Sequence, residues 1–232
     1  MPKFLVDFFP NVANYWDIFK QVLQATYQMF FIAGLITLLI GGAFGIALIV
    51  TKTDGIKPNR IVHFILEVVT NVFRAVPFII LLIFLIPLTR SIAGTSIGVK
   101  GAIVPLVFGA VPFYTRQVET ALADVNPGKI EAARSMGSST IGIVFRVYLH
   151  EALPDLIRVT TITAISLIGL TTSAGAVGAG GIGSFAINYG QNLHYQDVVN
   201  LCVILLLIIV SLIQLLGNTL SKATTNKELF HK

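Results

Sequence analysis

Charge is scarce in this sequence. Only 12% of its 232 residues are Asp, Glu, Lys or Arg, about half the share of a soluble domain. Cysteine is scarcer still. Cys202 stands alone in an apolar run, which excludes an intramolecular disulfide and marks it as a small buried hydrophobe. The histidines, His63, His150, His194 and His231, lie far apart, with no paired spacing that could hold a metal. The phosphate-binding pattern G-x-x-x-x-G-K-[ST] is missing, because Gly128-Lys129 is followed by Ile130. The chain is therefore expected to bind no cofactor or metal and to catalyse no reaction itself. The first residues contain Asp7, Pro10 and Asp17 and no clean apolar core, so a cleaved signal peptide is not expected.

What the sequence has is long apolar blocks. Hydrophobic residues make up 55% of it, and its mean hydropathy is +0.83. Blocks of this length and composition predict an all-α, polytopic membrane protein. Five transmembrane helices are expected, near 26–50, 78–88 (the crossing part of a helix that begins near Asn59), 97–122, 156–178 and 198–216. Residues 11–25 place Trp16, Phe19, Val22 and Leu23 near one face, as an interfacial helix does. The domain reading is an extracytoplasmic segment 1–25, a membrane domain 26–220 and a cytoplasmic tail 221–232. The net charge of +5 comes from Lys and Arg scattered between apolar blocks, which argues against nucleic acid as a partner. Twelve of the 16 fall on the side of the 124–150 loop, so that loop and the C-terminus are expected in the cytoplasm and the N-terminus outside.

Several residues in the spans carry specific expectations. Gly41 and Gly45 form a small-xxx-small pair for internal helix packing. Pro77 is expected to kink the second span, with Arg74 as an interfacial anchor. Pro105 and Pro112 suggest that the third span bends, and Arg116 and Glu119 are spaced to pair. The fourth span is rich in Thr, Ser and Gly, which suits a central helix. It ends in Gly178-Ala179-Gly180-Gly181-Ile182-Gly183, which matches G-x-G-x-x-G but lies outside any soluble βαβ unit. Its glycines suit a gate or re-entrant bend, with Thr172, Ser173, Gly175, Gly178, Gly180 and Gly181 as the pathway or gate residues.

The longest stretch with regular charge is Asn126 to Leu149. Asn126-Pro127 reads as an N-cap followed by proline at the first helical position. Gly137 reads as a left-handed stop, and Ser138, Ser139 and Thr140 can cap a second helix. Ala132, Ala133 and Ser135 keep the first helix slim, with Glu131 and Arg134 as flanking charges for a partner. Ile141, Val144, Phe145, Tyr148 and Leu149 give the second helix an apolar face for packing on the membrane helices.

At these residues the chain resembles the permease subunits of ABC importers. Their cytoplasmic signature is E-A-A, three residues, G, nine residues, I-x-L-P. Here Glu131-Ala132-Ala133, Gly137 and Val147-Tyr148-Leu149-His150 occupy it, with Val147 for Ile and His150 for Pro. The resemblance is closest to the methionine-importing branch. It extends through Arg74-Ala75-Val76-Pro77-Phe78-Ile79-Ile80, Gly94-Thr95-Ser96-Ile97-Gly98, Ala102-Ile103-Val104-Pro105-Leu106 and Ala174-Gly175-Ala176-Val177-Gly178-Ala179-Gly180-Gly181. It implies a type I importer permease fold in the bacterial cytoplasmic membrane and a homodimer with the pathway on its axis. It also implies two cytoplasmic ATPase subunits that use ATP and Mg, and an extracytoplasmic methionine-binding protein. Glu131, Ala132, Ala133, Arg134, Met136 and Gly137 would then couple to the ATPase. A permease for another small solute, a passive channel and a scaffold subunit are the alternative readings.

Overall fold

A computed structural model describes residues 8 to 229, and every regular element among them is a helix. Four helices are long and apolar enough to cross a membrane: Trp16–Thr51, Gly98–Ala123, Leu153–Ala179 and Gln196–Thr225. Arg60–Ala75 with Phe78–Phe84 makes a fifth if that broken pair is one span.

The first helix corrects an expectation. Trp16–Thr51 is one element of 36 residues, so the expected boundary at residue 25 falls inside it. No proline occurs between those ends, so the headgroup segment and the span share one hydrogen-bonded ladder. At 1.5 Å per residue the helix is about 54 Å long, well beyond a hydrocarbon core of about 30 Å.

Pro77 does more than kink its helix. Arg60–Ala75 ends, Pro77 takes φ −56° and ψ 135°, and a new helix begins at Phe78. A second proline, Pro87, opens Ile86–Ala93 after another stop at Leu85. The extended ψ at Pro77 removes a helical residue as well as a donor, so the helix breaks. By contrast, Gly98–Ala123 runs unbroken through Pro105 and Pro112. The last helix, Gln196–Leu229, outruns the expected 198–216 and takes in most of the expected polar tail. Ser221 accounts for part of that ordering. Its buried hydroxyl donates to the Pro154 carbonyl at 3.0 Å.

The chain forms two compact units. One contains the segment up to Leu35, Val76–Gly109 and Ile165–Leu212. Its core gathers Val12, Phe19, Ile182, Phe185, Val198 and Cys202. Asp197 clasps it, accepting from the Asn11 backbone N–H at 3.0 Å and from its side-chain amide at 2.9 Å. The other unit contains Ile36–Ala75, Ala110–Ala164 and the chain from Ile213 onward. Its core joins Ile49, Tyr114, Val118, Leu122, Ala133, Ile143 and Tyr148. Gly45 lets two helices touch, since a Cβ there would lie 2.6 Å from that of Val118. Lipid already satisfies apolar surface, so such contact distances, rather than withdrawal from water, hold membrane helices together. Arg116 pairs with Glu119 at 2.6 Å and reaches Glu67 at 3.4 Å.

Candidate functional site: a capped hairpin and a glycine turn

The hairpin lies wholly in the second unit, and its ends are capped by its own residues. Asn126 Oδ1 accepts from the Gly128 N–H at 2.8 Å, with Pro127 in the first turn of the helix Pro127–Ser135. At the other end Gly137 takes φ +78°. Its N–H donates to the Arg134 carbonyl at 3.0 Å, and the Ser138 N–H donates to the Ala133 carbonyl at 3.1 Å. That pair of bonds is the Schellman arrangement, which satisfies carbonyls a helix end would otherwise leave open. Ser139 Oγ then accepts from the Gly142 N–H at 3.1 Å and starts the next helix, Thr140–Ile143.

The two helices turn specific sides inward. Ala133 is buried in the core, while Ala132, Ser135 and Met136 are exposed. Pro127, Ile130, Glu131 and Arg134 recur every three or four residues and line one side of a cavity. Arg134, one of the expected coupling residues, is exposed and donates to the Ile56 carbonyl of the same chain at 3.3 Å. Lys129 pairs with Glu151, bracing the start of the hairpin against its end.

The second helix departs from its expected face. Ile143, Val144, Tyr148 and Ala152 are buried, but Ile141 and Phe145 are exposed. A π-helical turn occupies Val144–Tyr148, and a period of 3.6 does not carry through its wider spacing. His150, where the family pattern has proline, is helical. The stop falls at Ala152, with ψ near 2°, just before the next helix begins at Leu153.

Across the cavity lies the loop after Thr51. Lys52 and Asp54 form an ion pair at 3.3 Å. A backbone hydrogen bond, and after it Lys52, holds the Asp54 carboxyl below its ordinary range. Burial pushes the Tyr148 phenol up from its usual value, and the Asp54 charge adds to this. The sequence marks Tyr148 only as part of an apolar face and does not single out Asp54. No pattern there brings residues near 50 and 148 together.

The glycine turn belongs to the first unit. Leu153–Ala174 runs into a kinked stretch, Gly175–Ala179, in which Val177 and Gly178 leave the helical conformation, and Gly181–Phe185 comes next. Gly178, Gly180 and Gly181 all have positive φ, at 93°, 81° and 77°. The chain reverses so tightly that a Cβ on Gly183 would overlap the Thr172 carbonyl oxygen. One on Gly175 would lie 2.6 Å from the Ser184 nitrogen. Thr26 Oγ1 holds the returning stretch of backbone by accepting from the buried Ile182 N–H at 2.9 Å. The hydroxyls of Thr172 and Ser173 donate to the Ile168 and Gly169 carbonyls of their own helix, at 2.9 and 3.0 Å. Of the six expected gate residues, Thr172 and Ser173 end one helix and the four glycines form the turn after it; of the six expected coupling residues, four lie in the helix Pro127–Ser135, and Met136 and Gly137 form its cap.

One further pattern is settled by its setting. Gly94-Thr95-Ser96-Ile97-Gly98 matches the hydrolase elbow G-x-S-x-G, which belongs between a strand and a helix. Here helices flank it, and Ser96 Oγ accepts from Arg90 Nε at 3.2 Å.

Comparison with known proteins agrees with this architecture. Residues 43–226 match the family model described as binding-protein-dependent transport system inner membrane component. The chain is 38% identical over 223 residues to the probable D-methionine transport system permease protein MetI of Vibrio cholerae, covering 94% of this chain and 99% of that one. It is 42% identical over 174 residues to the methionine import system permease protein MetP of Bacillus subtilis, covering 75% and 78%. Among solved structures, an inward-facing conformation of the MetNI methionine ABC transporter matches with a TM-score of 0.88 at 42% identity, covering 91% of this chain and 98% of that one. A crystal structure of an amino acid ABC transporter shares the fold alone, with a TM-score of 0.76 at 16% identity. With a membrane-helix scaffold, a self-capped hairpin and these matches along nearly its whole length, the chain belongs to the inner membrane component family of binding-protein-dependent transport systems.

Proposed function

We propose that this chain is the membrane permease subunit of an ATP-driven importer of methionine. It works as a homodimer with two ATPase subunits on the cytoplasmic face and a binding protein outside. The observation that carries this reading is the hairpin from Asn126 to Glu151. Its first helix is capped at each end by the hairpin's own side chain and backbone and keeps Ala132 and Ser135, with Met136 beside them, exposed. Similarity to the methionine permeases along most of their length supports the substrate class.

In this mechanism the outward stripe of Pro127–Ser135 sits in a groove on the ATPase. Small side chains at 132 and 135 permit close approach, and Met136 supplies an adaptable apolar contact. The inward side is keyed to the chain by Ala133, by Arg134 on the Ile56 carbonyl and by the Lys129–Glu151 pair. Movement of the docked helix is thereby passed to residues 49–56 and to the helix ending at Ala123. A helix that docked equally well in both states of the ATPase would shift nothing, so the contact must differ between them. The glycine turn 175–183 serves as the external gate. ATP and Mg are held by the partner subunit.

Uptake of labelled methionine by cells lacking their own methionine importer, supplied with this chain and its ATPase, tests the reading. Saturable uptake is expected, with a loss of about tenfold or more when Ala132 is replaced by Trp, since a bulky group there blocks close docking. Uptake of another small solute with no competition from methionine would overturn the substrate. Undiminished uptake by Ala132→Trp would overturn the docking.

A further inference from the structure

The cavity behind the coupling helix has a volume of about 310 Å³. That is at the small end of the range for ligand pockets, about 300–1,000 Å³. Lys52, Asp54, Glu131 and Arg134 contribute two positive and two negative charges to its lining. Ile49, Leu122 and Ile130 contribute apolar wall. Some of the polar capacity is already used. Lys52 and Asp54 pair with each other, and one Arg134 nitrogen donates to the Ile56 carbonyl. The rest is free. Among the described residues, neither the Glu131 carboxylate nor the Tyr148 hydroxyl has a hydrogen-bond partner. Tyr148 is only 6% exposed and lines the cavity, and its unpartnered hydroxyl remains accessible there.

We infer that this cavity binds a small zwitterionic amino acid with an apolar side chain, at a site separate from the transport pathway. The groups divide as such a molecule requires. Arg134 and the Tyr148 hydroxyl are donors for a carboxylate, and Glu131 accepts from an ammonium group. The isoleucines and Leu122 take the side chain. The balanced lining disfavours a simple anion or cation, which would leave like charges facing it. Burial keeps the phenol protonated across the neutral range, so it is available as a donor. Because the lining comes from residues 49–56, the end of Gly98–Ala123 and the hairpin, an occupant ties the coupling helix to the rest of its unit. Occupancy therefore bears on how readily the helix moves, which is a regulatory function distinct from carrying the solute.

The test needs neither ATP nor transport, so it stands or falls apart from the proposed function. Binding of labelled L-leucine is measured on the full chain in detergent, purified with whatever subunits accompany it. Saturable binding is expected, at one site per chain. Leucinol, which lacks the carboxylate, and N-acetyl-leucine, which lacks the ammonium, should each bind about tenfold more weakly. Tyr148→Phe, which removes one hydroxyl, should weaken leucine about threefold to tenfold. Ala123→Leu, at an exposed lining position, should fill the cavity and abolish binding without lowering the thermal midpoint. Absence of saturable binding to the unaltered chain overturns the inference. So does binding that both variants leave unchanged, which would place the leucine elsewhere.

Discussion

The glycine turn at 175–183 and the hairpin at 126–152 are both helix–break–helix units, and both use glycine at positive φ. They are stabilised in opposite ways. At the turn, backbone packs on backbone: the Thr172 carbonyl fills the space where Gly183 would carry a side chain, and Thr26 takes up the one buried donor. At the hairpin, side chains hold the break. Asn126 and Ser139 cap, Lys129 and Glu151 pair, and nothing lies within 4 Å of a Cβ built on Gly137. A break made of backbone contact admits no change, whereas a break made of side-chain caps loses stability one cap at a time.

The sharpest test of that contrast is Gly183→Ala. The added methyl would overlap a carbonyl, so a loss of about 3 kcal/mol or more is expected, read as failure to accumulate in the membrane or a large fall in thermal midpoint. A mild effect would show that the turn can loosen. Thr26→Val comes next. It leaves the Ile182 N–H buried without an acceptor and should cost about 1–3 kcal/mol by thermal unfolding. At the hairpin, Asn126→Ala should cost only about 1 kcal/mol, because one cap is lost while Pro127 and the Schellman end remain. A loss there as large as that at Gly183 would erase the distinction. Smallest is Asp54→Asn. The folded carboxyl titrates below its ordinary 3.8, so its contribution is present above that pH and disappears as the pH falls through the lower folded value. The variant should therefore lie slightly below the parent at neutral pH, show a flatter acid limb below about pH 4, and converge with the parent in stronger acid.

The same contrast decides how much was legible in the amino-acid sequence. Caps are local, so Asn126, Gly137 and Ser139 could be read from their spacing. So could the Arg116–Glu119 pair, the Gly41 and Gly45 contact and the burial of Cys202. The glycine run announced a tight turn, but not its partner. The contact of Gly183 with Thr172 and the bond from Ile182 to Thr26 depend on which segments meet. Two readings failed for physical reasons. The helix from Trp16 to Thr51 has no breaker near residue 25, so composition suggested a boundary that the backbone ignores. The apolar face drawn for the second hairpin helix included Phe145, which is exposed, and omitted Ile143, which is buried, beside a π-turn at Val144–Tyr148 that interrupts the 3.6-residue period. The kink expected at Pro77 is present, but as a full break with the two helices 106° apart, because ψ at the proline is extended. The cavity was invisible for a simpler reason: its lining joins residues 49–56 to residues 122–148, far along the chain, and Arg134 is anchored to a carbonyl that every residue possesses.

The self-capping of the hairpin has a consequence for association. Its cap bonds close within 126–142, so the element reaches its final shape without waiting for a neighbour. A segment that must order on contact gives up part of its interaction free energy to that ordering, about 2–5 kcal/mol for coupled folding and binding. This one gives up almost none. Encounter is then a docking of two preformed surfaces, in which a few small contacts suffice for recognition and strength can be kept low enough for the contact to be remade at every cycle.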